Sequence, residues 1–191
     1  MILYPTDLKG LLLVELESHK DERGAFAEVF NIRSSRRAGL ASEVDQVNFS
    51  TSKLAGTFRG LHYQVSPNPQ TKTVFCIRGK IIDIAVDLRR DSQTYLKNYK
   101  AVLDENCGFG LYIPRGFAHG WYSLEPDSQI MYLVNGLWSK SDERGIRYDD
   151  PAIKLKIPGE VMTIQERDRN WPLLPAFSDP DDHPDRAHDE R

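Results

Sequence analysis

Hydrophobic positions along the chain cluster in short runs rich in Val, Ile, Phe and Tyr, and Gly, Pro, Asn or Asp bounds most of these runs. Turn signals about every 8–12 residues are typical of the strands of a β-sandwich or barrel. The predicted strands cover residues 11–15, 25–31, 44–50, 57–64, 73–77, 80–88, 99–103, 109–113, 117–124 and 129–138. Only residues 34–41 indicate a helix. We therefore predict an all-β domain.

Alternation within two of the runs predicts which faces of the strands are buried. Residues 80–88 place four apolar side chains on one face: Ile82, Ile84, Val86 and Leu88. The run 44–50 places apolar side chains on one face and polar side chains, including Gln46 and Asn48, on the other. A polar strand face lies against solvent or lines a water-filled pocket inside a barrel. The sequence leaves these two alternatives open.

Composition and charge narrow the class of protein. The chain has 191 residues, 40% of them hydrophobic, which is enough for one domain with its own core. Residues 175–191 are rich in Pro and Asp and carry a net charge of −4, which leaves the rest of the chain near neutral at +1. We therefore predict a single domain over residues 1–174 followed by an acidic tail. A near-neutral body argues against nucleic acid as a partner.

Cellular location is predicted from three features. Two cysteines, Cys76 and Cys107, are too few for a disulfide framework. Residues 1–7 lack the order of basic and then apolar residues that is typical of a signal peptide. Every apolar run is far shorter than the roughly 20 residues of a membrane-spanning helix. We expect a cytoplasmic protein that does not bind membranes.

Two histidines fall within predicted strands, and each follows an Arg-Gly pair. His62 follows Arg59-Gly60, and His119 follows Arg115-Gly116. A single strand histidine is usually a core or rim residue, but two in similar surroundings favour a site. A neutral imidazole accepts a proton near pH 7, and a carboxylate on its other nitrogen stabilises the charged form. Asp168 is one candidate for that carboxylate among many.

Strict alternation of side chains between the two faces of the strand 57–64 is inconsistent with a pocket that is lined by both Arg59 and His62. It places Arg59 and His62 on opposite faces of the strand. Both side chains reach one pocket only if Gly60 marks a β-bulge or a strong twist. A bulge at Gly60 is therefore part of the hypothesis.

Two further residues carry useful chemistry. Lys72 lies at the start of a predicted strand, where its charge could stabilise a developing oxyanion. Tyr132 lies in the apolar segment 130–134 and could donate a proton from a buried position. A core tyrosine with a bonded hydroxyl is the simpler interpretation of Tyr132 at this stage.

A metal site is the main alternative for the two strand histidines. Metal-binding barrels of this kind commonly use two histidines separated by one residue on a single strand. Here Gln64 stands where the second histidine is needed after His62. A triad that combines His62 with His119 and a carboxylate remains the only metal arrangement to consider.

Several motifs resemble one known family when they are taken in chain order. They are Asp21-Glu22-Arg23-Gly24, Arg59-Gly60-Leu61-His62-Tyr63-Gln64, residues 79–87, Ile113-Pro114-Arg115-Gly116-Phe117-Ala118-His119-Gly120, residues 143–151 and the late Asp168. The chain is similar to the dTDP-4-dehydrorhamnose 3,5-epimerase family over about residues 11–174. The resemblance implies a cupin-type jelly-roll barrel with a few short helices. It also implies a homodimer that acts on a nucleotide-diphosphate 4-keto sugar without a metal or redox cofactor.

The resemblance implies catalytic roles for four residues. His62, paired with Asp168, removes a hydrogen that the C-4 ketone of the sugar acidifies. Lys72 stabilises the enolate, and Tyr132 returns a proton from the opposite face. Further positions match family residues around the sugar, the diphosphate or the base: Arg23, Glu28, Gln46, Asn48, Arg59, His119, Trp138, Glu143 and Arg167. Guanidinium groups suit phosphate oxygens, so Arg23 and Arg59 are the expected diphosphate partners.

The chain departs from the family pattern at three places. Leu133 follows the catalytic tyrosine where Lys is usual, Trp138 replaces a second tyrosine, and Gln165-Glu166-Arg167-Asp168 replaces a Ser-x-Lys-Asp ending. We expect epimerisation, since the base and the main acid are present. A single-centre epimerase on another nucleotide sugar, such as a GDP- or CDP-linked one, remains an alternative. A metal-dependent oxygenase and a non-catalytic sugar-nucleotide binder are the alternatives of another class.

Overall fold

The structure is a computed structural model that describes residues 1–41 and 43–174. The predicted acidic tail, residues 175–191, lies outside the described residues. The division into one domain and a tail therefore stays a prediction. Within the described ranges, no helix has both the length and the apolar character needed to cross a membrane.

Strands are the main secondary structure of the described chain, as predicted. Their order is β1 (Ile2–Pro5), β2 (Leu12–Glu15), β3 (Ser18–Asp21), β4 (Gly24–Ala27), β5 (Gln46–Ser52), β6 (Thr57–Gln64), β7 (Thr71–Arg78), β8 (Lys80–Asp87), β9 (Asn98–Asp104), β10 (Phe109–Ile113), β11 (Phe117–Ser123), β12 (Ser128–Asn135), β13 (Glu143–Gly145) and β14 (Thr163–Ile164). Two short helices accompany them, α1 (Ile32–Arg37) and α2 (Glu166–Arg169). The predicted all-β class with short helices is confirmed.

The strands form two large sheets and a separate hairpin. The first sheet has the order β1-β2-β10-β7-β12-β5, and the second has the order β13-β6-β11-β8-β9. Strand β14 adds to the second sheet by pairing parallel with β6. Strands β3 and β4 pair only with each other. Within each large sheet the neighbours along these orders are antiparallel, and the frequent non-consecutive neighbours are typical of jelly-roll topology.

Two apolar clusters cover both faces of the second sheet. The cluster between the sheets includes Val74 and Leu111 from the first sheet and Ile81 and Trp121 from the second. The second cluster joins the predicted apolar face of β8 to residues of the C-terminal segment, such as Ile153. Strand β8 is therefore buried on both faces rather than one. This packing brings the C-terminal segment, which carries α2, against the second sheet.

The chain from residue 25 to residue 41 differs from its predicted structure. The predicted strand 25–31 ends at Ala27, and the predicted helix 34–41 is replaced by α1, which begins at Ile32. The reason is the side chain of Asn31, which accepts hydrogen bonds from the backbone N–H groups of Arg33 and Ser34 at 2.9 and 3.2 Å. Asparagine at this N-cap position satisfies otherwise unpaired N–H groups and so sets the start of a helix.

The predicted irregularity at Gly60 is confirmed. His62 pairs with His119 and Arg59 with Trp121, so two residues of β6 lie opposite one residue of β11 between these pairs. This bulge changes the alternation of β6 and turns Arg59 and His62 toward the same side. Gly60 has a φ of +114°, and a Cβ there would lie 2.7 Å from the Cα of Gly120. Two glycines therefore let the strands approach closely at the bulge.

We expect Gly60→Ala to destabilise the protein more than Gly24→Ala. Both glycines have positive φ, but a Cβ at Gly24 would meet no atom within 4 Å. The control variant therefore incurs only the conformational cost of a side chain at positive φ, about 1–3 kcal/mol. Gly60→Ala adds a backbone clash of about 1–3 kcal/mol. Denaturant unfolding of both variants measures the difference, and equal free energies of unfolding would contradict this account.

Candidate active site

A cavity of about 360 Å³ lies between the two sheets. That volume is in the range of sites for small organic ligands. Nine of the predicted site residues line it: Gln46, Asn48, Arg59, His62, Lys72, His119, Tyr132, Trp138 and Glu143. Sequence reasoning did not identify six others as lining residues: Tyr63, Gln64, Gln70, Gly120, Trp121 and Val134. The polar face of β5 therefore lines a pocket, while its apolar residues Val47 and Phe49 are exposed.

His62 and Asp168 form a hydrogen-bonded pair at the edge of this cavity. His62 Nε2 lies 2.7 Å from Asp168 Oδ1, and the backbone N–H of Gly60 donates to Asp168 Oδ2 at 3.0 Å. Burial alone would raise the pKa of Asp168, but the bonds from His62 and Gly60 hold that pKa below its ordinary value. The carboxylate thus stays charged and fixes the imidazole. His62 Nδ1 is left as the nitrogen that can accept a proton.

Tyr132 reaches the cavity from the opposite sheet. Its strand β12 belongs to the first sheet, whereas His62 lies on β6 of the second. The indole N–H of Trp121 donates to the Tyr132 hydroxyl at 2.9 Å, so the hydroxyl proton remains free to point elsewhere. Burial and the nearby Asp83 carboxylate raise the pKa of Tyr132. Tyr132 is therefore a neutral phenol at physiological pH, and its hydroxyl proton is available for donation.

Lys72 supplies a positive charge in the same cavity. Burial lowers the pKa of Lys72 to about 8, although the carboxylates of Glu143 and Asp83 act in the opposite direction. The ammonium group is thus mostly charged at neutral pH but is poorly solvated. An ammonium in such surroundings interacts strongly with a developing oxyanion.

His119 forms a second imidazole–carboxylate pair, which sequence reasoning missed. His119 Nε2 lies 2.7 Å from Asp83 Oδ1, and both side chains are buried. Burial lowers the pKa of His119, which favours its neutral form. The imidazole also packs edge-on against Tyr132, with 5.8 Å between ring centroids. The sequence did contain a signal for this pair, because Asp83 is a charged residue within the otherwise apolar middle of β8.

Arg59 lies at the exposed edge of the cavity. Its guanidinium donates to Ser52 Oγ at 3.1 Å and to the carbonyl of Thr51 at 2.7 Å. The same group lies 5.8 Å from the centroid of the Trp121 ring. These contacts orient an exposed guanidinium that can bind an anionic ligand.

Gln64 holds the loops at the rim of the cavity. Its amide donates to the carbonyls of Asn68 and Leu137, at 2.6 and 3.0 Å, and accepts from the N–H of Ser139 at 2.7 Å. The neighbouring Trp138 is fixed by a bond from its N–H to Gln46 Oε1 at 2.7 Å. Gln64 therefore connects the rim loops by hydrogen bonds, at the position where metal-binding barrels have a histidine. Among residues 1–41 and 43–174, no group of three or more His, Cys, Asp and Glu is arranged to hold a metal ion.

Arg167 lies behind the cavity wall rather than in it. It donates to Glu143, a lining residue, at 2.7 Å, and its Nε lies 3.7 Å from Asp168 Oδ1. The guanidinium is thus placed to orient Glu143 and Asp168. Its predicted contact with substrate stays a prediction.

Arg23 and Glu28 are not brought to the cavity within the described chain. Arg23 lies in the turn of the β3–β4 hairpin, where it pairs with Asp21 and is largely exposed. Glu28 follows the hairpin and accepts a hydrogen bond from Asn31 at 3.0 Å. Their assignment to substrate binding stays a prediction that this one chain does not fulfil by itself.

The arrangement can move protons on opposite sides of one bound molecule. A base on one wall and a neutral phenol on the facing wall can remove a proton from one face of a carbon and add a proton to the other. A lysine that lines the same cavity can stabilise the intermediate charge on a carbonyl oxygen. Enolisation beside a ketone, with inversion at carbon, is the chemistry that this set of groups fits.

Comparisons with known proteins agree with this chemistry. The family model described as dTDP-4-dehydrorhamnose 3,5-epimerase matches residues 5–176. The dTDP-4-dehydrorhamnose 3,5-epimerase of Methanothermobacter thermautotrophicus is 40% identical over 172 residues, which cover 88% of this chain and 92% of that protein. A solved structure of the Bacillus anthracis dTDP-4-dehydrorhamnose 3,5-epimerase, with TDP and PPi bound, has a TM-score of 0.87 and 34% identity. The match covers 91% of this chain and 99% of that chain.

A third relative is similar in both sequence and structure. The Legionella pneumophila dTDP-6-deoxy-D-glucose-3,5-epimerase in complex with dTDP-4-keto-L-rhamnose has a TM-score of 0.86 and 32% identity, covering 93% of this chain and 94% of that chain. These neighbours confirm the predicted cupin-type fold. The chain belongs to the dTDP-4-dehydrorhamnose 3,5-epimerase family, whose members are isomerases acting on carbohydrates.

Proposed function

We propose that this protein inverts C-3 and C-5 of a dTDP-linked 4-keto-6-deoxyhexose of the dTDP-4-dehydro-6-deoxyglucose type. The observation that carries the proposal is the placement of the His62–Asp168 pair and of Tyr132 on facing sheets around one cavity. The relatives named above support the same reaction and the same nucleotide. The departure at Trp138 leaves this set of groups intact.

Each inversion moves one proton off a carbon and another proton onto it. The C–H bond beside the ketone breaks, the proton forms an N–H bond with His62 Nδ1, and the electron pair passes to the C-4 oxygen. Lys72 stabilises that enolate. The Tyr132 hydroxyl then gives its proton to the opposite face of the carbon, and the electron pair returns from oxygen to form the new C–H bond. Solvent later restores the proton of Tyr132 and removes that of His62, so the sugar keeps its formula.

The diphosphate is proposed to bind at the exposed edge of the cavity. Arg59 presents an oriented guanidinium there, which suits phosphate oxygens. Gln46 and Asn48 line the adjacent wall and can bond to hydroxyl or carbonyl groups. These roles follow the family resemblance and the position of each side chain.

Proton NMR in deuterium oxide tests the proposal directly. With the dTDP-linked 4-keto sugar, we expect deuterium at both C-3 and C-5 of the epimerised product. Exchange at one carbon only would indicate a single-centre epimerase instead. Acceptance of a GDP- or CDP-linked sugar in preference to the dTDP-linked one would overturn the nucleotide assignment. Binding without exchange at either carbon would contradict the proposed activity.

The pH dependence of the reaction should report on Lys72. Because burial lowers the pKa of Lys72 to about 8, its charge is lost as pH rises through that value. We expect kcat/KM to fall about tenfold per pH unit above it, since this parameter reports groups of the free enzyme. In Lys72→Arg, whose guanidinium stays charged up to about pH 12, the alkaline fall should disappear. An unchanged alkaline limb in that variant would exclude Lys72 as its source.

We also propose that two copies associate and that each completes the other's site. Phe26 on the β3–β4 hairpin and Val47 and Phe49 on the edge strand β5 are 70%, 63% and 59% exposed, and such patches mark interaction surfaces. Docking of the hairpin at a second copy's cavity would bring Arg23 and Glu28 to the substrate. Sedimentation at micromolar concentration tests this, and a monomer that retains full activity would contradict it.

The proposed location is the cytoplasm. Cys76 and Cys107 are both free thiols, as expected in a reducing compartment. Fractionation of the source cells tests the location, and recovery outside the cytoplasm would contradict it.

A further inference from the structure

Trp171 lies beside His62 and is not one of the residues that line the cavity described above. Its ring meets that of His62 nearly edge-on, with 6.2 Å between centroids and 72° between planes. Asp168 lies three residues earlier, in α2. One short C-terminal stretch therefore supplies both the carboxylate partner of the base and an aromatic neighbour.

The position of the indole is closely defined by Gly145. Gly145 pairs with His62 across the β13–β6 ladder. A Cβ at residue 145 would lie only 2.3 Å from Nε1 and Cε2 of Trp171. The ring thus rests directly on the backbone of the strand next to His62. Only a glycine on that strand allows such close approach.

Two further contacts keep the indole in place. The guanidinium of Arg167 lies 5.5 Å from the centroid of the Trp171 ring, in the range of a cation–π interaction. The backbone N–H of Leu174 donates to Asp150 Oδ2 at 2.6 Å, and Asp150 is itself buried. The chain is therefore anchored on both sides of Trp171.

The contacts of Trp171 within the described residues are made by the surface of its ring rather than by its indole N–H. Trp171 Nε1 is buried, and within the described residues it has no hydrogen-bond partner. A buried donor without a partner costs free energy. The packing of the ring against Gly145 and beside His62 offsets that cost.

We infer that Trp171 is a positioning residue that shields the His62 imidazole from solvent. The inference rests on the proposed epimerase function. While this shielding is intact, the proton on His62 Nδ1 returns to the carbon it left or stays on the imidazole as Tyr132 reacts. When water reaches the imidazole, that proton exchanges with solvent before it returns. Exclusion of water by an active site prevents this kind of proton leakage.

The two protons can be followed separately in deuterium oxide. Product carries deuterium at the inverted carbon, because Tyr132 exchanges with solvent before each turnover. Recovered starting sugar gains deuterium only if the proton on His62 exchanges before it returns. The amount of deuterium in recovered sugar per molecule of product therefore measures how often the proton on His62 exchanges with solvent.

We expect Trp171→Ala to raise this ratio several-fold, whereas Trp171→Phe keeps it near the wild-type value. Comparison of the alanine and phenylalanine variants separates the effect of the aromatic ring from that of the indole N–H. Phenylalanine keeps an aromatic ring but lacks the N–H, which has no hydrogen-bond partner within the described residues. Trp171→Leu replaces the alanine variant if the latter does not fold, as judged by its free energy of unfolding. An intermediate ratio is expected for the leucine side chain, because it covers less area.

Each outcome distinguishes this inference from the proposed function. If the wild-type enzyme forms product and the deuterium ratio is unchanged in Trp171→Ala or Trp171→Leu, the proposed shielding by Trp171 is wrong. The proposed epimerase function would still stand in that case. An equal rise in Trp171→Phe would also overturn the proposed shielding, since an apolar ring is then insufficient. A wild-type enzyme without product or exchange would overturn the function and the inference together.

Discussion

The His62→Asn variant should leave the hydrogens beside the C-4 ketone unexchanged in deuterium oxide. Asparagine keeps a donor for Asp168 Oδ1, which His62 Nε2 now contacts at 2.7 Å, but it has no basic nitrogen to take a proton. Loss of a general base lowers rates by about 10²–10⁴-fold. The NMR exchange assay and kcat/KM both measure this effect. We expect exchange into recovered sugar and into product to be lost together.

Two controls keep the His62 result interpretable. The variant should still bind dTDP, because the proposed diphosphate partner Arg59 is unchanged. Asp168→Asn should fall between wild type and His62→Asn, since the imidazole remains but loses the carboxylate that stabilises its charged form. Exchange at the wild-type rate in His62→Asn would refute the assigned base.

The second large effect is expected for Tyr132→Phe. Phenylalanine preserves the ring that packs against His119 but removes the hydroxyl that we propose as the proton donor. Product formation should fall by about 10²–10⁴-fold. Abstraction by His62 should continue, so deuterium in recovered sugar per molecule of product should rise. The same NMR experiment measures both quantities.

The contrast between the two variants is the decisive result. His62→Asn should lose exchange and product together, whereas Tyr132→Phe should lose product and retain exchange. Part of the Tyr132→Phe effect comes from leaving the Trp121 indole N–H without its partner. A Trp121→Phe variant measures that part, and it should retain more product formation than Tyr132→Phe. Equal losses in both would argue against proton donation by Tyr132.

Local sequence patterns predicted most of the fold because strand formation depends on neighbouring residues. Runs such as 57–64 and 109–113 coincide with β6 and β10 as observed. The pattern failed where a side-chain contact decided the structure. Asn31 starts α1 earlier than the Arg-rich segment suggested, and the expected strand 25–31 is cut short at Ala27.

The site was predictable in its residue types but not in its geometry. The motif around His62, the position of Lys72 and the resemblance to one family identified the chemistry. Asp168 could be paired with His62 only through that resemblance, because 106 residues separate the two in the chain. Asp83 and Trp171 were missed, since their roles depend on partners contributed by other strands.

The sequence by itself determined the all-β class, the strands that carry the reactive side chains and the family to which they belong. These properties follow from alternation, turn residues and local motifs. Only the tertiary structure decided that the polar face of β5 lines a cavity, that the bulge at Gly60 turns Arg59 and His62 to one side, and that the Trp171 ring lies beside His62. Each of these depends on contacts between distant segments, which no local pattern of residues specifies.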